Sequence, residues 1–151
     1  MTDPKEKALS ILKARDKTEY ELIEALRIAG YSEEEITETL LYLKDMGYID
    51  DLSYAGRYVQ ISMDKRRGPK RIERELIEKG VKSSVIYDVM SDEMDYEWET
   101  DTAESIAQEI KSKNPALRED KLIAKIVNKL SYEGFDEDII NEIIEKSFIE
   151  K

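Results

Sequence analysis

Residues 49–81 of this chain read IDDLSYAGRYVQISMDKRRGPKRIERELIEKGV, and the rest of the sequence is organised around this stretch. An acidic doublet, Asp50-Asp51, precedes a segment in which apolar or small residues recur every three to four positions, as on the buried face of a helix. These residues are Leu52, Ala55, Tyr58, Val59 and Ser62 or Met63. Acids directly before such a segment are typical of a helix N-cap, so we interpret the doublet as a cap rather than a metal site.

The same stretch contains the only concentration of positive charge in the chain, which we call the basic cluster: Lys65, Arg66, Arg67, Lys70, Arg71 and Arg74. Gly68-Pro69 lies in its middle, and proline is favoured at the first position of a helix. The pattern predicts a helix N-terminus whose exposed N–H groups lie among cations, an arrangement that suits phosphate oxygens. The candidate residues for binding a phosphate or an acidic partner are these six and Arg57, and the alternative is a solvated turn.

One spacing occurs three times along the chain, and its second copy begins within this stretch. A leucine is followed four residues later by a glycine, then directly by an apolar residue, and five positions further on by an isoleucine. The three copies are Leu26-x3-Gly30-Tyr31-x4-Ile36, Leu76-x3-Gly80-Val81-x4-Ile86 and Leu130-x3-Gly134-Phe135-x4-Ile140. Glycine readily adopts the left-handed conformation that ends a helix, so the spacing predicts a helix end at each glycine and a tandem repeat.

Helix-start signals complete the first repeat. Thr18-x2-Glu21 and Ser32-x2-Glu35 have the form of capping boxes. In the third repeat, Asn114-Pro115 indicates a helix start, because proline again suits the first helical position. We predict an all-α protein of three tandem three-helix, helix-turn-helix-like repeats in an elongated, curved molecule. The predicted boundaries are 1–49, 50–91 and 102–151, with an acidic linker at 92–101.

The predicted linker carries six acids and no base between residues 92 and 101. Opposite charges that are close in sequence attract over about 8–10 Å at physiological salt. One hypothesis is that this linker lies near the basic cluster and competes with phosphate, and the alternative is a simple acidic spacer. The tyrosines Tyr20, Tyr31, Tyr48, Tyr54 and Tyr58 are interpreted as core or hydrophobic-staple residues rather than as platforms for bases, and Trp98 as a partner anchor or as a plug between repeats.

Composition excludes several kinds of site. The chain has 151 residues with no cysteine and no histidine. Metal sites with thiolate or imidazole ligands therefore cannot form, and the common nucleophile–base pairs of enzymes cannot form either. We expect a non-enzymatic protein without a metal, cofactor or small-molecule substrate. No apolar run is long enough to span a membrane, and the N-terminus lacks the order of a signal peptide, so we expect a cytoplasmic protein without a membrane partner.

Two motifs within residues 50–81 point to a family. They are D-D-x2-Y-A-x2-Y-V, which begins at Asp50, and K-x2-G-P-x-R-I-x2-E-L-x2-K-G-V, which begins at Lys65. Together they resemble the signature of the RecX family of recombinase regulators, and residues 15–50 are similar to it too. In the third repeat, Tyr132 and Glu133 stand where that family tends to carry a basic pair. The signature positions with structural roles are Asp50, Asp51, Tyr54, Ala55, Gly68 and Pro69, with the three repeat glycines Gly30, Gly80 and Gly134.

The resemblance implies tandem three-helix repeats and a regulator that binds the RecA–DNA filament. It further implies that the regulator limits the recombinase, ATPase and co-protease activities of the filament. The net charge of −11 disfavours binding bare DNA across the whole surface. We therefore expect protein–protein contacts to dominate, with contacts to single-stranded DNA phosphates confined to the second repeat.

Two other classes of function remain open. The segment from Thr18 to Asp50 is compatible with a winged-helix-like transcription regulator, although a helix that reads DNA should begin with basic or amide residues. The segment instead carries Glu33-Glu34-Glu35 at that place. A scaffold of helical repeats is the third possibility.

Overall fold

A computed structural model describes residues 2–149, which form nine α-helices and a final π-helical segment, Glu145–Ile149, with no strand among them. The all-α class is therefore confirmed. The helices are α1 (Pro4–Ala14), α2 (Glu19–Ile28), α3 (Glu33–Asp45), α4 (Asp51–Asp64), α5 (Pro69–Glu78), α6 (Ser83–Ser91), α7 (Tyr96–Lys113), α8 (Glu119–Glu133) and α9 (Glu137–Ile144). None of the helices in the described part is long and apolar enough to cross a membrane.

Several helices begin where a side chain satisfies one of their first N–H groups. Both predicted capping boxes are present, with Thr18 and Glu21 at the start of α2 and Ser32 and Glu35 at the start of α3. The Asp50 carboxylate accepts the backbone N–H of Ser53 at 3.2 Å, which caps α4. The interpretation of Asp50 as an N-cap is confirmed.

The helix ends explain the repeated spacing. Gly30, Gly80 and Gly134 have φ of 97°, 83° and 96°, so each predicted left-handed helix end is confirmed. In each copy the apolar residue after the glycine donates its N–H to the carbonyl of the repeat leucine, at 3.0 to 3.2 Å. This bond closes a Schellman motif, in which the apolar residue also packs beside the helix it has just left. The repeated spacing therefore reflects the same helix-end motif at three places in the chain.

The described residues form two compact units. The first contains residues 2–58 and 75–89, and the second contains 59–74 and 90–149. Helices α4 and α5 contribute to both units, so the compact units do not follow the limits of the predicted second repeat. The repeat boundaries at 49/50 and 91/92 stay a prediction.

Each unit contains a bundle of three helices with its own core. In the first unit, α1, α2 and α3 pack on one another, and in the second unit α7, α8 and α9 do so. The first core contains Ala8, Leu22, Leu26, Tyr31, Ile36, Leu40, Leu43 and Ile49. The second contains Ala103, Ile106, Ala107, Leu122, Ile126, Leu130, Phe135, Ile139, Ile140, Ile143 and Phe148. The leucine and glycine-following positions of the repeat are thus core positions.

Some predicted core residues lie at the surface. Leu52 is 53% exposed, because the buried face of α4 runs instead through Ala55, Val59 and Ser62. Of the five tyrosines, Tyr31 is buried, whereas Tyr20 and Tyr48 are about half exposed. Hydrophobic periodicity identifies a helix face, but it does not say how much of that face a neighbour covers.

Two further details differ from the sequence prediction. Pro115 lies in a turn, and α8 begins four residues later, at Glu119. The predicted linker 92–101 is helical from Tyr96 onward, so only residues 92–95 lie between helices. Trp98, on the first turn of α7, stacks on Phe135 with ring centroids 6.5 Å apart. It therefore packs against the core of the second unit.

Candidate phosphate-binding surface in the basic cluster

The basic cluster begins where α4 ends. Arg66 has φ of 59°, the left-handed conformation that glycine occupies at the three repeat helix ends. Its N–H donates to the carbonyl of Met63 at 2.8 Å, and the N–H of Arg67 donates to the carbonyl of Ser62 at 3.0 Å. This is again a Schellman motif, formed here with an arginine at the left-handed position.

The predicted anion site at the start of α5 is corrected by the structure. Pro69 is the first helical residue, as expected. However, the N–H of Gly68 donates to the carbonyl of Glu133 at 2.7 Å, and the N–H of Lys70 donates to the carbonyl of Gly134 at 2.9 Å. The end of α8 thus occupies these two donors, which are not exposed to a phosphate.

Arg71 is held in a partly buried site. Its Nη1 lies 2.9 Å from Oε1 of Glu133, and the two side chains are 15% and 10% exposed. Its guanidinium also lies 5.1 Å from the centroid of the Tyr132 ring. Removing one partner of such a pair leaves an uncompensated charge in a partly dry place, so this contact is structural. Tyr132 and Glu133 thus form the site that receives Arg71.

Three other candidate cations make exposed ion pairs. Arg66 lies 2.8 Å from Glu109, and Lys70 lies 3.9 Å from Asp136. In the first unit, Arg57 lies 2.8 Å from Asp16. Exposed pairs of this kind contribute about 0–1 kcal/mol, so they do not prevent these cations from exchanging partners.

The remaining cations of the cluster are Lys65, Arg67 and Arg74. Lys65 and Arg74 are exposed and Arg67 is half-buried. Within residues 59–74 and 90–149, no carboxylate forms an ion pair with any of them. These three side chains can receive phosphate oxygens without giving up an ion pair.

Two acids of the acidic segment, Asp95 and Glu99, accept backbone N–H groups at helix starts. The carboxylate of Asp95 accepts the N–H of Trp98 at 2.8 Å, and that of Glu99 accepts the N–H of Asp136 at 2.9 Å. Burial raises the pKa of the Glu99 carboxyl. No acid of residues 92–101 forms an ion pair with the basic cluster in the described part of the chain. Arg66, Lys70 and Arg71 of the basic cluster pair instead with acids on α7 and around the end of α8. These acids are Glu109, Asp136 and Glu133, respectively.

The sequence did not identify these paired acids. Glu133 is the one with a signal in the sequence, because the family resemblance predicts a base at this position, next to a repeat glycine. Glu109 lies 43 residues from Arg66 in an ordinary acidic stretch, and no local pattern distinguishes it.

The second acid of the doublet, Asp51, caps a neighbouring helix. Its carboxylate accepts the N–H of Glu19, the first residue of α2, at 2.9 Å. Desolvation raises the pKa of the Asp51 carboxyl. The other signature residues are structural as well, since Ala55 is fully buried and the ring of Tyr54 stacks on Tyr58 at 6.3 Å.

The winged-helix alternative has no support in the described residues. A wing needs β-strands, and residues 2–149 contain none. At the start of α3, Glu33 pairs with Arg27 at 2.7 Å, and Glu35 closes the capping box. A helix that begins with three acids repels DNA phosphates.

Comparisons with known proteins show what the chain is similar to. The family model described as "RecX, first three-helix domain" matches residues 5–43, and "RecX, second three-helix domain" matches residues 50–90. The "Regulatory protein RecX" of Vibrio vulnificus is 33% identical over 135 residues, which are 89% of this chain and 86% of the relative. The protein of that name from Clostridium botulinum (strain Eklund 17B / Type B) is 31% identical over 147 residues, 95% of this chain and 68% of the relative.

A solved structure has a similar fold. The crystal structure of RecX from Lactobacillus salivarius matches with a TM-score of 0.84 and 26% identity, and the match covers 95% of this chain and 93% of that one. The similarity therefore extends beyond the two matched domains to nearly the whole chain.

Proposed function

The chain belongs to the RecX family, and we propose that it is a regulatory protein that binds the filament of a RecA-type recombinase on single-stranded DNA. Binding restrains the recombinase, ATPase and co-protease activities of the filament. The protein acts in the cytoplasm through binding alone, without catalysis, cofactor or small-molecule substrate. The names of its relatives support the regulatory part of this proposal.

One observation indicates how the DNA takes part. The chain is strongly acidic, with a net charge of −11, yet Lys65, Arg67 and Arg74 make no ion pair within the described part of the second unit. Most of the surface therefore repels phosphate, whereas these three cations, which lie close together in the sequence, attract it. We assign the phosphate contacts of the complex to these three side chains, and its remaining contacts to the recombinase itself.

Co-sedimentation with recombinase–single-stranded-DNA filaments, together with the rate of ATP turnover, tests this function. We expect the protein to sediment with the filaments and to slow turnover. Sedimentation with bare duplex DNA but not with filaments would favour a DNA-binding regulator instead. Binding to neither would leave a scaffold role.

A triple variant tests the site. Changing Lys65, Arg67 and Arg74 to Gln should weaken filament binding and reduce the slope of log affinity against log salt by about two units, since each contact to a single strand contributes about 0.7. The matched control changes Lys7, Lys13 and Lys121 to Gln; these are exposed cations outside the cluster. Because the control has the same net charge, an equal loss in both variants would refute the assigned site.

A further inference from the structure

We propose that Arg66 and Glu109 form a latch: the Glu109 carboxylate holds the Arg66 guanidinium in the free protein, and a phosphate of the bound single strand replaces it. This inference rests on the proposed function and deepens it, because it adds a fourth phosphate-binding cation and names the group that controls it. The contact that opens lies within the second unit, between the end of α4 and α7.

The backbone of Arg66 gives the first argument. A left-handed conformation is unfavourable for any residue with a Cβ, and glycine occupies it at the three repeat helix ends. Such outliers persist where the surrounding structure over-determines them, and they concentrate at functional sites. Arg66 lies in the chain between Lys65 and Arg67, two cations without an ion pair in the described part of their unit.

The nature of the ion pair gives the second argument. The side chains of Arg66 and Glu109 are 43% and 41% exposed, whereas those of Arg71 and Glu133 are 15% and 10% exposed. Water reaches the first pair, so its opening costs little. Glu109 is also shared with Lys113, whose Nζ lies 2.9 Å away, and it keeps this partner when Arg66 leaves. A phosphate carries strong acceptor oxygens that guanidinium binds in bidentate geometry, so the exchange favours the nucleic acid.

Lys70 also has an exposed ion pair, but its surroundings differ. It lines a cleft of ≈ 510 Å³ together with the carboxylates of Glu73, Glu99, Asp136 and Asp138. A phosphate that approached Lys70 would meet four negative groups around a single cation. Arg66 is therefore the cation of the cluster that an ion-pair exchange can make available to a phosphate.

The decisive variant is Glu109→Gln, and the chain offers a matched control, Glu104→Gln. Glu104 lies on the same helix, is similarly exposed, and forms an ion pair with Lys146 at 3.2 Å. Both variants change the net charge equally. Glu104→Gln breaks one exposed ion pair, whereas Glu109→Gln breaks two, since it releases Lys113 as well as Arg66. The affinities of the free protein for an oligothymidylate and for recombinase filaments are measured across a salt series.

We expect Glu109→Gln to bind the oligothymidylate about two- to tenfold more tightly than Glu104→Gln at low salt, with a salt slope up to about 0.7 units steeper. The gain should vanish when Arg66→Gly is added, because the released cation is then missing. Glycine suits the left-handed position, so this background should remain folded. A gain that persists without Arg66 would trace to the release of Lys113 and would overturn the latch. Equal gains from Glu109→Gln and Glu104→Gln would also overturn it.

The two probes separate this inference from the proposed function. If the protein and its variants bind the oligothymidylate in the expected order but do not bind filaments, the proposed function fails and the latch stands. If filaments are bound but Glu109→Gln and Glu104→Gln do not differ with either probe, the function stands and the latch fails. If no variant binds the oligothymidylate even at low salt, no phosphate exchange takes place and the latch fails.

Discussion

The corner after α3 and the corner after α8 have the same backbone form but different surroundings. Gly47 and Gly134 have φ of 76° and 96°, and each ends its helix. A Cβ added to Gly47 would meet nothing within 4 Å, whereas one added to Gly134 would lie 2.4 Å from the backbone nitrogen of Arg71. Glycine is needed at the first corner for its conformation alone, and at the second also because another segment packs against it.

Gly68, which packs against the corner at Gly134, also has no room for a Cβ. A Cβ added to Gly68 would lie 2.4 Å from the carbonyl carbon of Gly134, although Gly68 has no left-handed conformation to maintain. In the first unit, Gly80 is intermediate. A Cβ there would lie 2.2 Å from the Cβ of Tyr20, which is a side-chain atom, although one close to the backbone. Substitutions at these glycines separate the cost of conformation from the cost of close approach.

The largest effect is expected for Gly68→Ala. Its methyl group must displace backbone, which does not yield as a side-chain tip does, so we expect a loss of about 3 kcal/mol in the free energy of unfolding. Denaturant titration measures it. The control is Gly56→Ala in the middle of α4, where a Cβ meets nothing within 4 Å. That change should stabilise the protein by about 0.5–1 kcal/mol, and a comparable loss at both sites would refute the packing argument.

Gly80→Ala should rank second. The left-handed conformation alone predicts a loss of about 1–2 kcal/mol. The approach of Tyr20 adds a steric cost, so we expect a total of about 2–3 kcal/mol, between the losses for Gly47→Ala and Gly68→Ala. A loss no greater than that of Gly47→Ala would show that Tyr20 moves away freely.

Gly47→Ala isolates the conformational cost. With open space around the new methyl group, we expect a loss of about 1–2 kcal/mol, from the left-handed backbone only. Thermal or denaturant unfolding gives the value. A loss as large as that of Gly68→Ala would mean that the open and packed corners do not differ energetically.

The smallest effect concerns the carboxylates that cap a neighbouring helix, Asp51 in the first unit and Glu99 in the second. Burial raises the pKa of each above its value in the unfolded chain, about 3.9 for Asp and 4.3 for Glu. Between the unfolded and folded pKa values the folded state binds more protons. This contribution to stability is therefore present at lower pH and is lost as pH rises through that window.

Glu99→Gln keeps an oxygen that can accept the N–H of Asp136 but removes the titration. We expect the variant to be at least as stable as the unmodified protein at neutral pH, and to lose that advantage as pH falls toward about 4. Asp51→Asn should show the same sign in the first unit. Unfolding measured across pH checks both, and an advantage that grows with acid would contradict the assigned direction.

Sequence alone determined the features whose causes are local. The capping boxes at Thr18 and Ser32, the cap at Asp50 and the glycine helix ends follow from hydrogen bonds between residues a few positions apart. The repeat leucines and the apolar residues after the glycines are buried as predicted, because the Schellman motif joins them directly. The motifs of residues 50–81 were also sufficient to indicate the family.

Only the tertiary structure decided which cations of the basic cluster are available. The end of α8 occupies the N–H groups at the start of α5, Glu133 holds Arg71, and Glu109 holds Arg66 across 43 residues. The tertiary structure also decided that Leu52 and Tyr20 are exposed, because no neighbouring segment covers them fully. Hydrogen bonds within a helix turn join residues that are close in the sequence, so their pattern can be read from it. Ion pairs and close backbone contacts join segments that meet only when the chain has folded.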